Sequence, residues 1–360
     1  MGEEIQGDKD KEMTHRHAII RTMGKAAAML LATCCTWCLT ACIDEEQFPD
    51  SPQGNLEALW RIIDEHYCFL DYKKEAIGLD WDEVHARYAS RVDEGMSRTQ
   101  LFEVLCAMLS ELRDGHVNIY TSFDTGREWS WSEDYPSNVS DTLLRKYLGT
   151  DYKMSNGLNY RVLDDNIGYV RYPSFANEIG EGNLDDMFTL LAPCRKLILD
   201  IRSNGGGLIT SAEQLAARFT NEKLLVGYMQ HKTGRGHNDF SKMEEQWLKP
   251  SNGMRWQKPV VVLTNRQVFS AANEFVKYMK CCPNVTVVGD HTGGGAGLPF
   301  SSELPCGWSV RFSACPMYDR NSQSTEFGID PDMQVALRDD DLQRDRDTLI
   351  EYARQLLAKK

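Results

Sequence analysis

The sequence lacks the marks of several common chemistries. Its formal net charge is −13 over 360 residues and its Lys and Arg form no basic stripe, which argues against nucleic acid and against a polybasic membrane contact. No Gly-Lys-Ser/Thr follows a glycine-rich loop and no G-x-G-x-x-G spacing occurs, so a nucleotide phosphate has no cradle. Of eleven cysteines, Cys34, Cys35, Cys38 and Cys42 belong to an N-terminal apolar segment. Among the rest only Cys281 and Cys282 are adjacent, no C-x-x-C spacing exists, and Cys306 and Cys315 lack the histidine partners of a zinc site. They read as core residues or possible disulfides, and nothing calls for a metal or organic cofactor. No internal repeat is evident. What is abundant is apolar material, 42% against 26% charged, enough for a core and one or two domains.

The N-terminus carries a targeting pattern. Arg16, Arg21 and Lys25 precede the apolar run Ala26 to Ala41, which is short for a membrane span and placed like the h-region of a signal peptide. Leu39-Thr40-Ala41-Cys42 is similar to a bacterial lipobox, which implies cleavage after residue 41 and a lipid on Cys42. The expectation is an outer-membrane lipoprotein of a Gram-negative cell, facing the periplasm or the cell surface.

Residues 42–54 then read as a linker and 55–115 as a small N-terminal helical domain, with Leu56, Leu59, Ile63, Tyr67 and Leu70 at helical spacing. A second helix is expected over Trp81 to Val92. A third opens with Ser97-x-x-Gln100 as a capping box. His116 starts a strand in which Val117 and Ile119 share one face, and residues 116–360 form the second domain. From Leu158 strands alternate with helices. The buried runs Leu197 to Ile201 and Val260 to Leu263 each lead through a turn into a helix, and Asp341 to Leu357 reads as a closing amphipathic helix.

Ser270 falls where the second of these strand-turn-helix units enters its helix, so its hydroxyl can sit beside unpaired backbone N–H groups, the makings of an oxyanion hole. An ordinary N-cap serine has the same position. Asn204-Gly205-Gly206-Gly207 ends the first unit and lets backbone approach a substrate carbonyl closely. No G-x-S-x-G surrounds Ser270, which disfavours an α/β-hydrolase esterase.

Several motifs then agree in order: Leu112-Arg113-Asp114-Gly115-His116, Ile167-Gly168-Tyr169-Val170, Leu199-Asp200-Ile201-Arg202-Ser203-Asn204-Gly205-Gly206-Gly207, Val262-Leu263-Thr264-Asn265 before Ser270-Ala271-Ala272, Val288-Gly289-Asp290 and Gly328-Ile329-Asp330-Pro331-Asp332. From about Leu56 to the end the chain resembles the C-terminal processing and tricorn-like serine peptidases. The resemblance implies an α/β fold with a mixed-sheet, crotonase-like (ClpP/crotonase-type) catalytic core beside the helical domain. It implies hydrolysis of peptides or unfolded proteins by Ser270, with the N–H groups of Ala271 and of the Gly205, Gly206, Gly207 loop receiving the oxyanion. Residues 121–156 are too few for the PDZ module that many such proteases insert.

Processing proteases take their base from a lysine in the glycine loop after the Val-Val-Gly strand. Here Gly295 stands in that place, and His116 stands where tricorn-like members carry a histidine. His116 is therefore the expected base, with His291 as competitor. Glu326 matches the orienting acid, with Asp114 and Asp200 as alternatives. A non-catalytic protein binding peptides or lipophiles on the same fold remains the other reading. Whether Ser270 and His116 come within hydrogen-bonding distance separates the two.

Overall fold

The computed structural model describes residues 47–359. The segment 1–41 expected to be a signal peptide and Cys42 lie outside them, and among the described residues no helix is long and apolar enough to cross a membrane.

Helices open the described chain. Pro52–His66 begins under the side-chain cap of Ser51 with Pro at its first turn, inside the stretch expected as linker, because Ser-Pro supplies both an N-cap and a pre-set φ. Leu70–Ile77, Trp81–Ala89 and Arg98–Ser110 follow, the last with the Ser97/Gln100 capping box in place. Their apolar faces form one core with strand residues such as Ile119, Val310 and Phe312. The helices thus complete the hydrophobic face of a sheet.

The strands, in chain order, are β1 (Asn118–Tyr120), β2 (Thr125–Gly126), β3 (Lys153–Ser155), β4 (Leu158–Val162), β5 (Ile167–Arg171), β6 (Lys196–Asp200), β7 (Leu224–Met229), β8 (Glu244–Leu248), β9 (Val260–Thr264), β10 (Val285–Gly289), β11 (Gly297–Glu303), β12 (Ser309–Asp319) and β13 (Met333–Gln334). A seven-stranded mixed sheet runs β13-β10-β9-β6-β5-β4-β3, parallel from β13 to β5 and antiparallel beyond. A six-stranded antiparallel sheet runs β2-β1-β12-β7-β8 with β11 also on β12.

The apolar runs of β6 and β9 are continuous because both faces of the parallel sheet are covered. Val260 and Val262 face a core shared with helices Glu181–Leu191, Ile209–Ala216 and Ala271–Met279; Val261 and Leu263 face Leu349, Ile350, Ala353 and Leu357 of the last helix. That last helix is Thr348–Ala358, capped by Asp347, and a separate short helix Asp339–Leu342 precedes it. The single closing helix expected from the pattern is broken at Asp345, whose φ of 56° lies in the left-handed region.

The carboxyl ends of β6 and β9 are stitched together by the polar residues of their own motifs. The Ser203 N–H donates to Asn265 Oδ1 at 2.7 Å, Asn265 Nδ2 donates to Ser203 Oγ at 3.1 Å, and Asn204 Nδ2 donates to the Tyr172 carbonyl at 3.0 Å. Arg202, fully buried, bonds Asp200 at 2.7 Å and the cap residue Asp347 at 3.0 Å. Three nitrogens of one guanidinium, Nε and Nη2 on Asp200 and Nη1 on Asp347, thus join a sheet end to the C-terminal helix. The described cysteines are all free thiols, so the core reading holds for them and the possible disulfides do not form; Cys315 lies 3.5 Å from His231 Nδ1.

Candidate active site

Ser270 sits at the turn from β9 into helix Ala271–Met279 with φ 57° and ψ −125°, outside the ordinary regions for a residue with a side chain. Such backbone costs of the order of 1–3 kcal/mol and persists only where its surroundings over-determine it. Here the Ser270 N–H donates to the Gly294 carbonyl at 2.8 Å and the Phe269 N–H to the Asn204 carbonyl at 3.1 Å, fixing both sides of the turn.

The serine does not cap its helix through its side chain. Its hydroxyl instead lies 2.9 Å from Nε2 of His116, across 154 positions of sequence. The structure thus brings together the two residues on which the sequence reading turned. With Nε2 accepting from the hydroxyl, the proton of the neutral ring is on Nδ1. That atom is buried and has no hydrogen-bond partner among the described residues. Burial pushes the His116 pKa down to about 4; Asp114 opposes this and Arg311 adds to it. The imidazole is therefore neutral, and able to accept a proton, through the whole physiological range.

The expected donors around the oxyanion divide. Gly206 has φ 94°, and a Cβ there would meet Phe269 O at 2.7 Å and Ser270 Cβ at 2.8 Å, so only glycine brings this loop against the nucleophile. Its own N–H, however, donates to Asn204 Oδ1 at 3.0 Å. Gly206 thus supplies the approach and not a donor. The N–H groups of Ala271, Gly205 and Gly207 have no hydrogen-bond partner among the described residues.

Both ring nitrogens of His291 are engaged elsewhere than at Ser270: Nδ1 bonds Asp330 Oδ1 at 2.6 Å and Nε2 the Phe327 carbonyl at 2.8 Å. The place of the missing lysine is also explained. A Cβ on Gly295 would lie 2.5 Å from the Phe269 ring, so a longer side chain has no room beside Ser270.

The acids are arranged in a way that sequence did not foresee. Glu326 accepts from the Lys73 ammonium at 2.9 Å and from the Ala296 N–H at 3.0 Å, and makes no bond to His116. Burial, and then Asp114, raise its pKa to about 7, against the opposing pull of Lys73. Asp114 is the acid next to the base: its Oδ1 accepts the His116 backbone N–H at 2.7 Å, and its Oδ2 accepts from Tyr67 and Ser313 hydroxyls, each at 3.0 Å. Asp200 is spent on Arg202 and Tyr169. Tyr67 and Lys73 were missed as site residues; a lysine flanked by Asp71, Lys74 and Glu75 reads as one more surface charge and gives no local sign of its distant partner. Among the described residues no cluster of His, Cys, Asp and Glu could hold a metal ion.

Comparison with known proteins identifies a family. Residues 166–335 match peptidase family S41, and residues 48–110 match the tricorn protease C1 domain. The crystal structure of a candidate peptidase from Parabacteroides merdae is 53% identical and superposes with a TM-score of 0.81 over 86% of this chain and 97% of that one. The carboxy-terminal processing protease CtpA of Bacillus subtilis (strain 168) is 25% identical over 178 residues, a match spanning 49% of this chain and only 36% of that protein. Mature CPAF shares the fold at 12% identity, with a TM-score of 0.66 over 85% of this chain and 96% of that one. The chain belongs to peptidase family S41, a family of serine-type peptidases.

Proposed function

We propose that the chain hydrolyses peptide bonds of peptides or unfolded proteins, with Ser270 as nucleophile and His116 as base, on a crotonase-like catalytic core of the tricorn-like type without a PDZ domain. The observation that carries this is the 2.9 Å approach of Ser270 Oγ to His116 Nε2 at a serine held in a disallowed turn. A non-catalytic binding protein has no use for either feature. The hydroxyl passes its proton to Nε2 as Oγ attacks the scissile carbonyl, the oxyanion is met by the Ala271 N–H and by the Gly205 or Gly207 N–H, and the imidazolium then protonates the departing amine. Water repeats the sequence on the acyl-enzyme. Asp114, the nearest negative charge to His116, supports the imidazolium that forms, and Glu326 acts through Asp114 and Lys73 and not through a direct bond.

Placement outside the cytoplasm, a lipid on Cys42 and attachment to the outer membrane form the other part of the proposal, supported by the charge, apolar run and small-residue Cys of residues 16–42. Metabolic labelling with a palmitate analogue, lost in Cys42→Ser, tests it.

Catalysis is tested by treating the full chain with a fluorophosphonate and reading intact mass, alongside Ser270→Ala and His116→Ala. A single adduct lost in both variants is expected. A folded wild type that takes no label would favour the binding protein.

A further inference from the structure

The segment after β2 is built into the catalytic pair. Trp131 stacks on Phe269, the residue before the nucleophile, with 4.3 Å between ring centroids and 24° between planes. The centroid of that same phenyl ring lies 4.8 Å from that of the His116 imidazole, with 55° between the planes. The indole fills a slot between two glycines. A Cβ on Gly115, next to the base, would lie 2.6 Å from Trp131 Nε1 and 2.9 Å from Phe269, and a Cβ on Gly293 would overlap the six-membered ring of the indole. The segment is also tied down. Arg266 Nε donates to the Trp131 carbonyl at 3.0 Å and its guanidinium lies 3.8 Å over the Tyr135 ring, while Trp131 Nε1 donates to the Glu128 carbonyl at 3.1 Å. Trp131, Phe269, Tyr135 and Phe327 then help wall a cavity of about 640 Å³.

We propose that Trp131 is a positioning residue, wedged between Gly115 and Gly293 so that it presses the Phe269 ring onto His116, keeps water from the imidazole and fixes its bond to Ser270. The proposal rests on the reading of Ser270 and His116 as the catalytic pair. Its physical basis is close packing. An aromatic ring packed against both an indole and an imidazole has little freedom to tilt, and the imidazole beside it loses both water and rotational freedom. Removing the indole leaves a void against which Phe269 relaxes. The charged groups facing His116 are Asp114 on its own segment and Arg311 from β12, with Glu326 and Lys73 beyond Asp114; none of them makes a hydrogen bond or ring contact with Trp131. A changed pH dependence on truncating Trp131 therefore reports hydration of the imidazole and not a lost charge.

The test uses the full chain as wild type, Trp131→Ala and Trp131→Phe, with the rate of fluorophosphonate labelling of Ser270 followed by intact mass from acid to alkaline pH and thermal melting recorded alongside. Trp131→Ala should label at least about tenfold more slowly, the scale expected when a reacting group loses its fixed geometry. Its acid limb should move up by about one pH unit or more, toward an ordinary imidazole. Trp131→Phe, which keeps a stacking ring, should recover most of the rate and the wild-type limb. Labelling of Trp131→Ala at the wild-type rate with an unmoved limb overturns the proposal. Should that variant fail to fold, Trp131→Leu decides, since it fills the slot without stacking: a slowed rate with a raised limb supports the proposal, and wild-type behaviour overturns it. Absence of label in the wild type is a different result, which removes the catalytic reading and this proposal with it.

Discussion

Lys73 and Glu326, 253 positions apart in sequence, form an ion pair of 2.9 Å in which the lysine side chain is fully closed to solvent and the glutamate is 2% exposed. The ammonium also donates to the Arg113 carbonyl at 3.2 Å and lies 4.2 Å over the Phe327 ring, so its charge is met on three sides.

Removing one member of such a pair leaves the other buried without a partner. Lys73→Met should destabilise the chain by about 3–5 kcal/mol in urea unfolding. Lys73→Met with Glu326→Gln should recover part of that loss, because the amide can stay buried neutral. A single variant within about 1 kcal/mol of wild type would show that the pair does not hold the site together.

The two perturbed groups make opposite contributions to stability as pH changes. His116 falls from 6.5 unfolded to about 4 folded, so its contribution is complete above 6.5 and is lost as pH falls through about 4. Glu326 rises from 4.5 to about 7, so its contribution is complete below 4.5 and is lost as pH rises through about 7. In wild type the two slopes offset each other between these limits. Glu326→Gln should expose the His116 slope, with melting temperature climbing from pH 4 to 6.5. His116→Gln should expose the Glu326 slope, with melting temperature falling from pH 4.5 to 7. Parallel profiles for the two variants would contradict this.

The backbone at Ser270 predicts an exchange of stability for activity. Glycine tolerates φ 57° and ψ −125°, so Ser270→Gly should lose all labelling while gaining about 1 kcal/mol of stability. Ser270→Ala should lose labelling with no such gain. Equal melting temperatures for the two would show that the turn is unstrained.

Restoring a lysine at residue 295 should fail. Gly295→Lys places a Cβ 2.5 Å from the Phe269 ring. Lower melting temperature and lost labelling are the expected outcome. A variant that labels as wild type after His116→Ala would show instead that a Ser-Lys pair can form.

Much of this was legible in the chain. The apolar runs of β6 and β9 could be read because parallel strands covered on both faces leave no polar alternation, and both led into helices where expected. Ser270 and His116 were recognisable from ordered motifs, and the Asn204 and Asn265 of those motifs prove to be the cross-links between strand ends. The long β12 was not read. Its run mixes Ser, Arg, Ala and Pro with Val, Phe and Met because it serves helices on one stretch and β7 on another, which blurs a period of two. Helix Leu70–Ile77 was missed for its brevity and for the lysine at its buried face. Glu326 could be named but not placed, since an ion pair between remote residues leaves no mark on spacing.

That remoteness has a bearing on how the molecule comes into being. A polypeptide emerges from the ribosome N-terminus first, and residue 73 waits for residue 326 until nearly all of the chain has been made. His116 is backed by Asp114, which Tyr67 holds from one end of the chain, next to Glu326, which Lys73 holds from the same end. An unfinished or truncated chain therefore carries a serine and a histidine but not the buried scaffold behind them. Any peptidase activity of Ser270 and His116 that needs this scaffold would then wait until the chain has been made as far as residue 326.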